Sequence, residues 1–216
     1  MLLDLDMRDR NVVVIGGRRL AELKVRSLVQ QGIRTRVVAS GFVPGLKNID
    51  PRLVSLIRAP PSDYPEIIAR LRPSIVLSTL RDFRLNARVA KIARSVGSLV
   101  NVVDTPSLCD FAMPATGSIG RIRVGVVTGG SSPAMAGLIR DRLMQAITTE
   151  QVGQVELQGR IRKKLTERVP AATQRRKLVY AIIRDKKVSG FLREGMFDEA
   201  LAHAFGLVED AAARAG

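Results

Sequence analysis

Asn11-Val-Val-Val-Ile-Gly16 runs straight into Gly17-Arg18-Arg19-Leu20-Ala21. The first half is a run of β-branched residues with no polar alternation. Such a run fits a strand buried on both faces, as strands of parallel sheets are. It stops on two glycines, and Leu20 to Gln31 then carries apolar residues at helical spacing and ends at Gly32. Glycine just past the last periodic residue is a helix stop signal. A buried strand, a glycine turn and a helix in this order form the first half of a strand–helix–strand unit.

The same alternation continues outward. Thr35 to Ala39 reads as a second strand and Ser74 to Ser78 as a third. Leu85 to Val96 reads as a helix closed by Gly97, and Leu99 to Val103 as a further strand. Short connections between these pieces predict a doubly wound α/β parallel sheet over residues 1–114. The texture then changes. Arg123 to Val127 is predicted as a strand, and Thr128-Gly-Gly-Ser-Ser-Pro133 as a turn into a helix reaching about Ile147. This gives a small α+β segment over 115–148. From 149 to 216 only helical patterns occur, with helices predicted from Val152, over Gln174 to Arg184 and over Glu194 to Ala213.

Composition narrows the function. The 216 residues carry a net charge of +15, which attracts polyanions. Aromatic residues make up only 4%, with no tryptophan, and none interleave with basic residues as a single-strand stacking surface requires. This argues against nucleic acid and leaves a small polycarboxylate as the better match. The one cysteine excludes an intrachain disulfide. No stretch approaches the ~20 apolar residues of a membrane span. The N-terminal residues lack the basic-then-apolar order of a secretory signal. A soluble, cytoplasmic protein without membrane partners is expected.

A dinucleotide fingerprint places glycine, glycine and glycine or alanine at its first, third and sixth positions. Gly16 and Ala21 fit, and Arg18 takes the middle place. An arginine side chain there hinders the backbone from meeting a pyrophosphate, while its charge offsets part of that cost. The same residues would also serve as a tight turn in any α/β domain. The acid expected at the end of the second strand is replaced by Ser40, with Arg34 and Arg36 before it. A carboxylate there favours NAD, whereas a nearby arginine accommodates a 2′-phosphate. Asp104 ends the strand of Asn101-Val-Val-Asp104 and either acts as a general base or begins the Asp-Thr-Pro turn. Ser131 or Ser132 ahead of Pro133 makes a helix start. The Gly129-Gly130 amides before them offer an anion site as the alternative. Cys109 reads as packing and His203 as structural or exposed. The basic runs Arg160 to Lys164 and Arg175-Arg176-Lys177 read as solvated helix faces. No residues have metal-ligand spacing.

Taken in order, these pieces are more specific than any one alone. The Gly-Gly turn with Ala21 and Lys24 is followed by Asn86, Asn101-Val-Val-Asp104, Cys109-Asp110-Phe111 and Pro114. Then come Thr128-Gly-Gly-Ser-Ser-Pro133, Arg140, Val152-Gly-Gln-Val155 and Arg175-Arg176-Lys177. This order resembles the precorrin-2 dehydrogenase and sirohydrochlorin ferrochelatase family of sirohaem synthesis. The resemblance implies a Rossmann-like domain over 1–114, a dimerisation segment over 115–148 and a helical C-terminal domain over 149–216, assembled as a homodimer. It implies NAD-dependent oxidation of precorrin-2, with NADP not excluded, and in many members insertion of Fe2+ as a substrate.

It further implies Asp104 as the catalytic residue, while the lack of metal-ligand spacing leaves no resident metal expected. Gly16, Gly17, Arg18, Arg19, Leu20, Ser40, Thr79 and Leu80 would bind the cofactor. Asn101, Ser131 and Ser132 would bind the tetrapyrrole polycarboxylate. Two departures lie at the cofactor site: Arg18 replaces a glycine, and Leu80-Arg81-Asp82 replaces a Thr-Asp-Asp-like stretch. The methyltransferase domain fused to some members is not expected, since the sequence stops at Gly216. The rival reading is a non-enzymatic module of the same fold that binds a dinucleotide, a tetrapyrrole or nucleic acid.

Overall fold

Val12, Val13, Val14 and Ile15 have no solvent exposure at all. They form β1 (Val12–Ile15), whose edges pair in parallel with β2 (Thr35–Ala39) and β4 (Ile75–Ser78). In this computed structural model, which describes residues 2–7 and 9–213, the chain divides into two units after Ala112. The first unit completes its sheet with β3 (Val54–Arg58) and β5 (Leu99–Val102). Its order is β3-β2-β1-β4-β5, all parallel. The helices are α1 (Arg19–Val29), the short α2 (Pro44–Lys47), α3 (Tyr64–Leu71) and α4 (Phe83–Ser95).

Successive strand residues point to opposite faces of a sheet. Val13 and Ile15 pack with Val38, Val76, Val100 and Val102 against Tyr64, Ile67 and Ile68 of α3 and Val89, Ala90 and Ala93 of α4. Val12 and Val14 face the other side, where α1 buries Ala21, Val25 and Leu28. The parallel sheet is as expected, with boundaries moved by a residue or two. Helix α1 begins at Arg19 rather than Leu20 and ends at Val29. Strand β3 and helix α3 add to the expected elements.

The second unit opens with an antiparallel hairpin of β6 (Ala115–Ile119) and β7 (Ile122–Val126). The expected strand at Arg123 to Val127 is thus β7, one residue earlier, with an unforeseen partner. Then follow α5 (Pro133–Gln145), α6 (Thr149–Arg168), α7 (Ala172–Arg184), α8 (Lys186–Arg193) and α9 (Phe197–Ala213). Thr148 and Gln151 cap α6 reciprocally, at 3.2 and 2.9 Å. A core of Leu157, Ile161, Leu165, Ile182, Val188, Leu192, Ala200, Ala204 and Val208 joins α6 to α9. The helix expected to start at Glu194 starts at Phe197. Glu194 instead ends α8, and Gly195 turns the chain with φ +77°.

One charge run is not simply solvated. Arg175 is half-buried, and its Nη1 donates to the Val169 carbonyl at 2.8 Å and to the Pro170 carbonyl. These are carbonyls that the end of α6 leaves unbonded. Arg175→Ala should therefore lower stability by about 1–3 kcal/mol, the scale for removing a hydrogen bond to a charged group. An ordinary surface arginine would cost less than about 0.5 kcal/mol. Denaturant midpoints of the two proteins separate these outcomes.

Candidate functional site

Strand order reverses between β1 and β4, and ligands of open parallel sheets bind beyond the carboxyl ends at such a point. Gly16 leaves β1 with φ +115°, a conformation side chains resist. Its N–H donates to the Val38 carbonyl at 2.9 Å. Across the crevice, Thr79 donates to the Ile15 carbonyl from its N–H at 2.9 Å and its Oγ1 at 3.0 Å. Gly17 is closer still to its surroundings. A β-carbon there would overlap the Gly41 carbonyl oxygen and lie 2.9 Å from the Ala39 β-carbon. The Val43 N–H completes the contact by donating to the Gly17 carbonyl at 2.9 Å. The loop after β2 is thus laid directly onto the glycine turn.

Arg18 is the N-cap of α1. Its backbone is extended, with φ −94°, and its side chain is exposed. Arg19 and Leu20 follow in the first turn, both exposed. Ser40 is exposed at the end of β2, and its N–H donates to Tyr64 Oη at 3.1 Å. Leu80 is half-buried, and its carbonyl accepts from Asn86 Nδ2 at 3.1 Å. Asn86 is itself buried and accepts from Ser78 Oγ at 2.6 Å. Asp82, in the departed stretch, caps α4 by accepting from the Leu85 N–H at 3.0 Å. The eight expected cofactor residues therefore meet at the carboxyl ends of β1, β2 and β4.

Asp104 stands beyond β5. Its φ is +57°, in the left-handed region, and it is exposed. No partner for its carboxylate occurs among the described residues. The loop carrying it is stitched back onto β5. The Val100 N–H donates to Asp110 Oδ2 at 2.9 Å, and the Asp110 N–H to the Val100 carbonyl at 2.8 Å. Arg94 grips Asp110 Oδ1 at 2.8 Å and the Leu108 carbonyl at 3.0 Å. Cys109 Sγ accepts from the Val102 N–H at 3.1 Å, so the cysteine packs. Asn101 donates to the Phe111 carbonyl at 2.9 Å and toward Cys109 Sγ. One of its donors is therefore engaged within the loop.

Ser131 and Ser132 belong to the second unit. Ser132 Oγ caps α5 by accepting from the Met135 N–H at 3.2 Å. Its backbone N–H and carbonyl are both held by Thr128 Oγ1. Ser131 is exposed. His203 is half-buried and faces Asp185, with Nε2 3.3 Å from Oδ1. Among the described residues, no group of three or more His, Cys, Asp or Glu could hold a metal ion. No helix among them is long and apolar enough to cross a membrane.

A five-stranded parallel sheet in this order, with a glycine turn at its reversal, defines a dinucleotide-binding type of α/β unit. Residues 3–115 match the family described as "Putative NAD(P)-binding", and the chain belongs to that family. It is also similar to sirohaem synthases, as its motifs suggested. Identity is 32% over 176 residues with that of Nitrosospira multiformis, covering 80% of this chain and 37% of the relative. It is 31% over 164 residues with that of Nitrosomonas europaea, covering 76% and 34%. It is 29% over 211 residues with that of Salmonella arizonae, covering 91% and 45%. The chain thus spans less than half the length of these relatives. Among solved structures, SirC, precorrin-2 dehydrogenase, shares the fold with a TM-score of 0.71 at 20% identity, over 95% of this chain and 99% of that one.

Asp110 is the testable support of the Asp104 loop. Burial pushes its carboxyl pKa up, but the Arg94 guanidinium and the Val100 amide outweigh burial and hold it below the ordinary aspartate value. The folded chain therefore binds fewer protons here than the unfolded one. The stabilisation is present above the unfolded value and is lost as pH falls through the lower folded one. Asp110→Ala should cost about 1–3 kcal/mol at neutral pH. Its stability gap from the parent should close in acid, below the usual aspartate range. A gap that stays constant down to pH 2 in denaturant titrations would show that the ion pair does not hold the loop.

Proposed function

We propose that this chain oxidises precorrin-2 to sirohydrochlorin, with NAD as hydride acceptor and NADP as a weakly discriminated alternative. Membership of the NAD(P)-binding family and the likeness to sirohaem synthases support this. The observation that carries the catalytic assignment is Asp104: an unpaired carboxylate, held in a left-handed conformation beside the crevice. Such strained residues gather at functional sites.

The residues present fit a dinucleotide. Gly16 and Gly17 form a tight turn packed against Thr79 and Gly41, at the N-terminus of α1 where amides favour an anion. Gly16 to Leu20 would hold the pyrophosphate, Ser40 the adenosine ribose, and Thr79 with Leu80 the wall formed by β4. When bound, the nicotinamide supplies the hydride acceptor. Asp104 accepts at a carboxylate oxygen the proton that leaves with the hydride. The net charge of +15 draws the polycarboxylate in; Asn101 in the first unit and, separately, Ser131 and Ser132 in the second are the residues we propose as hydrogen-bonding groups for its carboxylates. Where Fe2+ is a second substrate, its insertion displaces two pyrrole N–H protons, and the same carboxylate would take one at a time and release it to water before the next.

We further propose that residues 115–148 are the dimerisation segment. Met135, Leu138, Ile139 and Leu143 of α5 are 47%, 45%, 37% and 45% exposed. Their spacing puts them on one helix face. A two-fold pairing of that face is the commonest closed solution.

Asp104→Asn keeps a side chain that tolerates the left-handed backbone. It should leave the melting temperature unchanged and lower turnover about 10²-fold or more in an anaerobic assay with precorrin-2 and NAD. Parental turnover would remove Asp104 from the chemistry. Light scattering at micromolar concentration should give twice the chain mass, and Leu138→Glu should halve it. A monomeric parent protein would refute the dimer.

A further inference from the structure

Glu22 is only 4% exposed, yet it sits in the first turn of α1, the turn that would receive a pyrophosphate. A carboxylate there has the wrong sign for an anion site. Two guanidiniums hold it. Arg26 Nε donates to Oε1 at 2.8 Å, and Arg19 Nη1 donates to Oε2 at 3.1 Å. Arg26 holds the Glu22 carboxyl below its ordinary pKa, against burial and with help from Arg19, so it stays ionised at neutral pH. Two positive groups against one negative group leave the cluster cationic.

The cluster also reaches α2, in the connection that follows β2. Arg26 Nη2 donates to the Gly45 carbonyl at 3.1 Å. Gly45 in α2 presses so closely on the Glu22 carboxylate that a β-carbon there would overlap it. Four residues earlier, the Gly41 carbonyl lies against Gly17. Glu22 therefore stands where α1, α2 and the glycine turn meet.

We infer that Glu22 is a positioning residue of the dinucleotide site: it holds the Arg19 guanidinium at the N-terminal turn of α1 as a ligand for the pyrophosphate. This rests on the dinucleotide reading above. Arg19 is suited to the task. Its side chain is 75% exposed, and the bond to Glu22 engages only Nη1. The rest of its fork of N–H donors stays free for phosphate oxygens, which match guanidinium geometry. Anchored at one end by a buried carboxylate, the guanidinium loses less freedom when it binds.

A double-mutant cycle on affinity separates this role from a merely structural one. Calorimetric titration with NAD and with NADP would compare the parent, Glu22→Gln, Arg19→Ala and the double variant, with thermal unfolding run alongside. Glu22→Gln and Arg19→Ala should each weaken binding about tenfold or more, the scale of one charge-assisted contact. In the Arg19→Ala background, Glu22→Gln should cost little further affinity. Equal losses in both backgrounds, or no loss in either, overturn the inference. If Glu22→Gln does not fold, Arg19→Lys decides. It keeps the charge but has no fork to brace, so affinity should still fall, and unchanged affinity overturns the inference. A parent protein that binds neither dinucleotide at millimolar concentration refutes the dinucleotide reading itself. That result is distinct from a parent that binds and shows no coupling.

Discussion

The rest of the first unit depends on β1 being dry on both faces and paired on both edges. A buried backbone must place every N–H and C=O in a hydrogen bond. Only neighbouring strands on both sides can do this for Val12 to Ile15, so β2 and β4 must flank β1. Crossovers in parallel sheets are almost always right-handed. The observed order, β3-β2-β1-β4-β5, sends β2 and β3 one way and β4 and β5 the other, so the connections diverge at the end of β1. The crevice is a consequence of that divergence. The turn leaving β1 must also clear the loop from β2, which comes down on Gly17. Packing against Gly41 and Ala39 alone requires the glycine there.

The other side of the crevice is built differently. No deep burial fixes Asp104; a closed set of short bonds does. Asp110 and Arg94 tie the end of the loop to β5, and Cys109 ties its middle to Val102. A residue in the left-handed region persists when the surrounding structure over-determines it. These bonds supply that determination, so the carboxylate is presented by a rigid frame. Seen this way, the Asn101 side chain is part of the frame through Phe111 before it is anything else.

What could be read in the sequence follows the same division. Strand β1, the glycine turn and α1 are legible because local pattern alone specifies them. Strands β3 and β6 are not. Val54-Ser-Leu-Ile-Arg58 lies at the sheet edge with Ser55 and Arg58 exposed, and Ala115-Thr-Gly-Ser-Ile119 is weakly apolar and gains its form by pairing with β7. Helix α3 hides behind Pro60, Pro61 and Pro65, which read as a loop although Pro65 lies in the first turn, where no donor is needed. In the site, the glycines and Asp104 stand out as residue types at known places. Glu22 and Tyr64 do not, and Asn86 and Asp110 enter the motif order without a role, because what these residues do lies in contacts between elements. Arg175 is misread for the same reason: a capping arginine and a solvated one look alike until the helix end is placed.

The basic charge gains a more definite meaning once the pairs are known. Glu22, Asp50, Asp110, Glu156 and Glu209 each bind an arginine or lysine, and each has its carboxyl pKa lowered. These acids neutralise their own partners and do little to offset the remaining cations. The excess is therefore a feature of the surface, where it acts over about a Debye length on an approaching polyanion. A nucleic acid would use such a field together with stacking, which 4% aromatics support poorly. The proposed dinucleotide and polycarboxylate need only such a field and donors for their acidic groups, which the glycine turn with Arg19 beside it would offer the dinucleotide. Asp104 is among the acids with no cationic partner in these pairs, and it stands at the carboxyl end of β5 with φ +57°. Its oxygens are engaged by nothing among the described residues, so whatever reaches the carboxyl end of β5 meets a carboxylate that the fold has not already used.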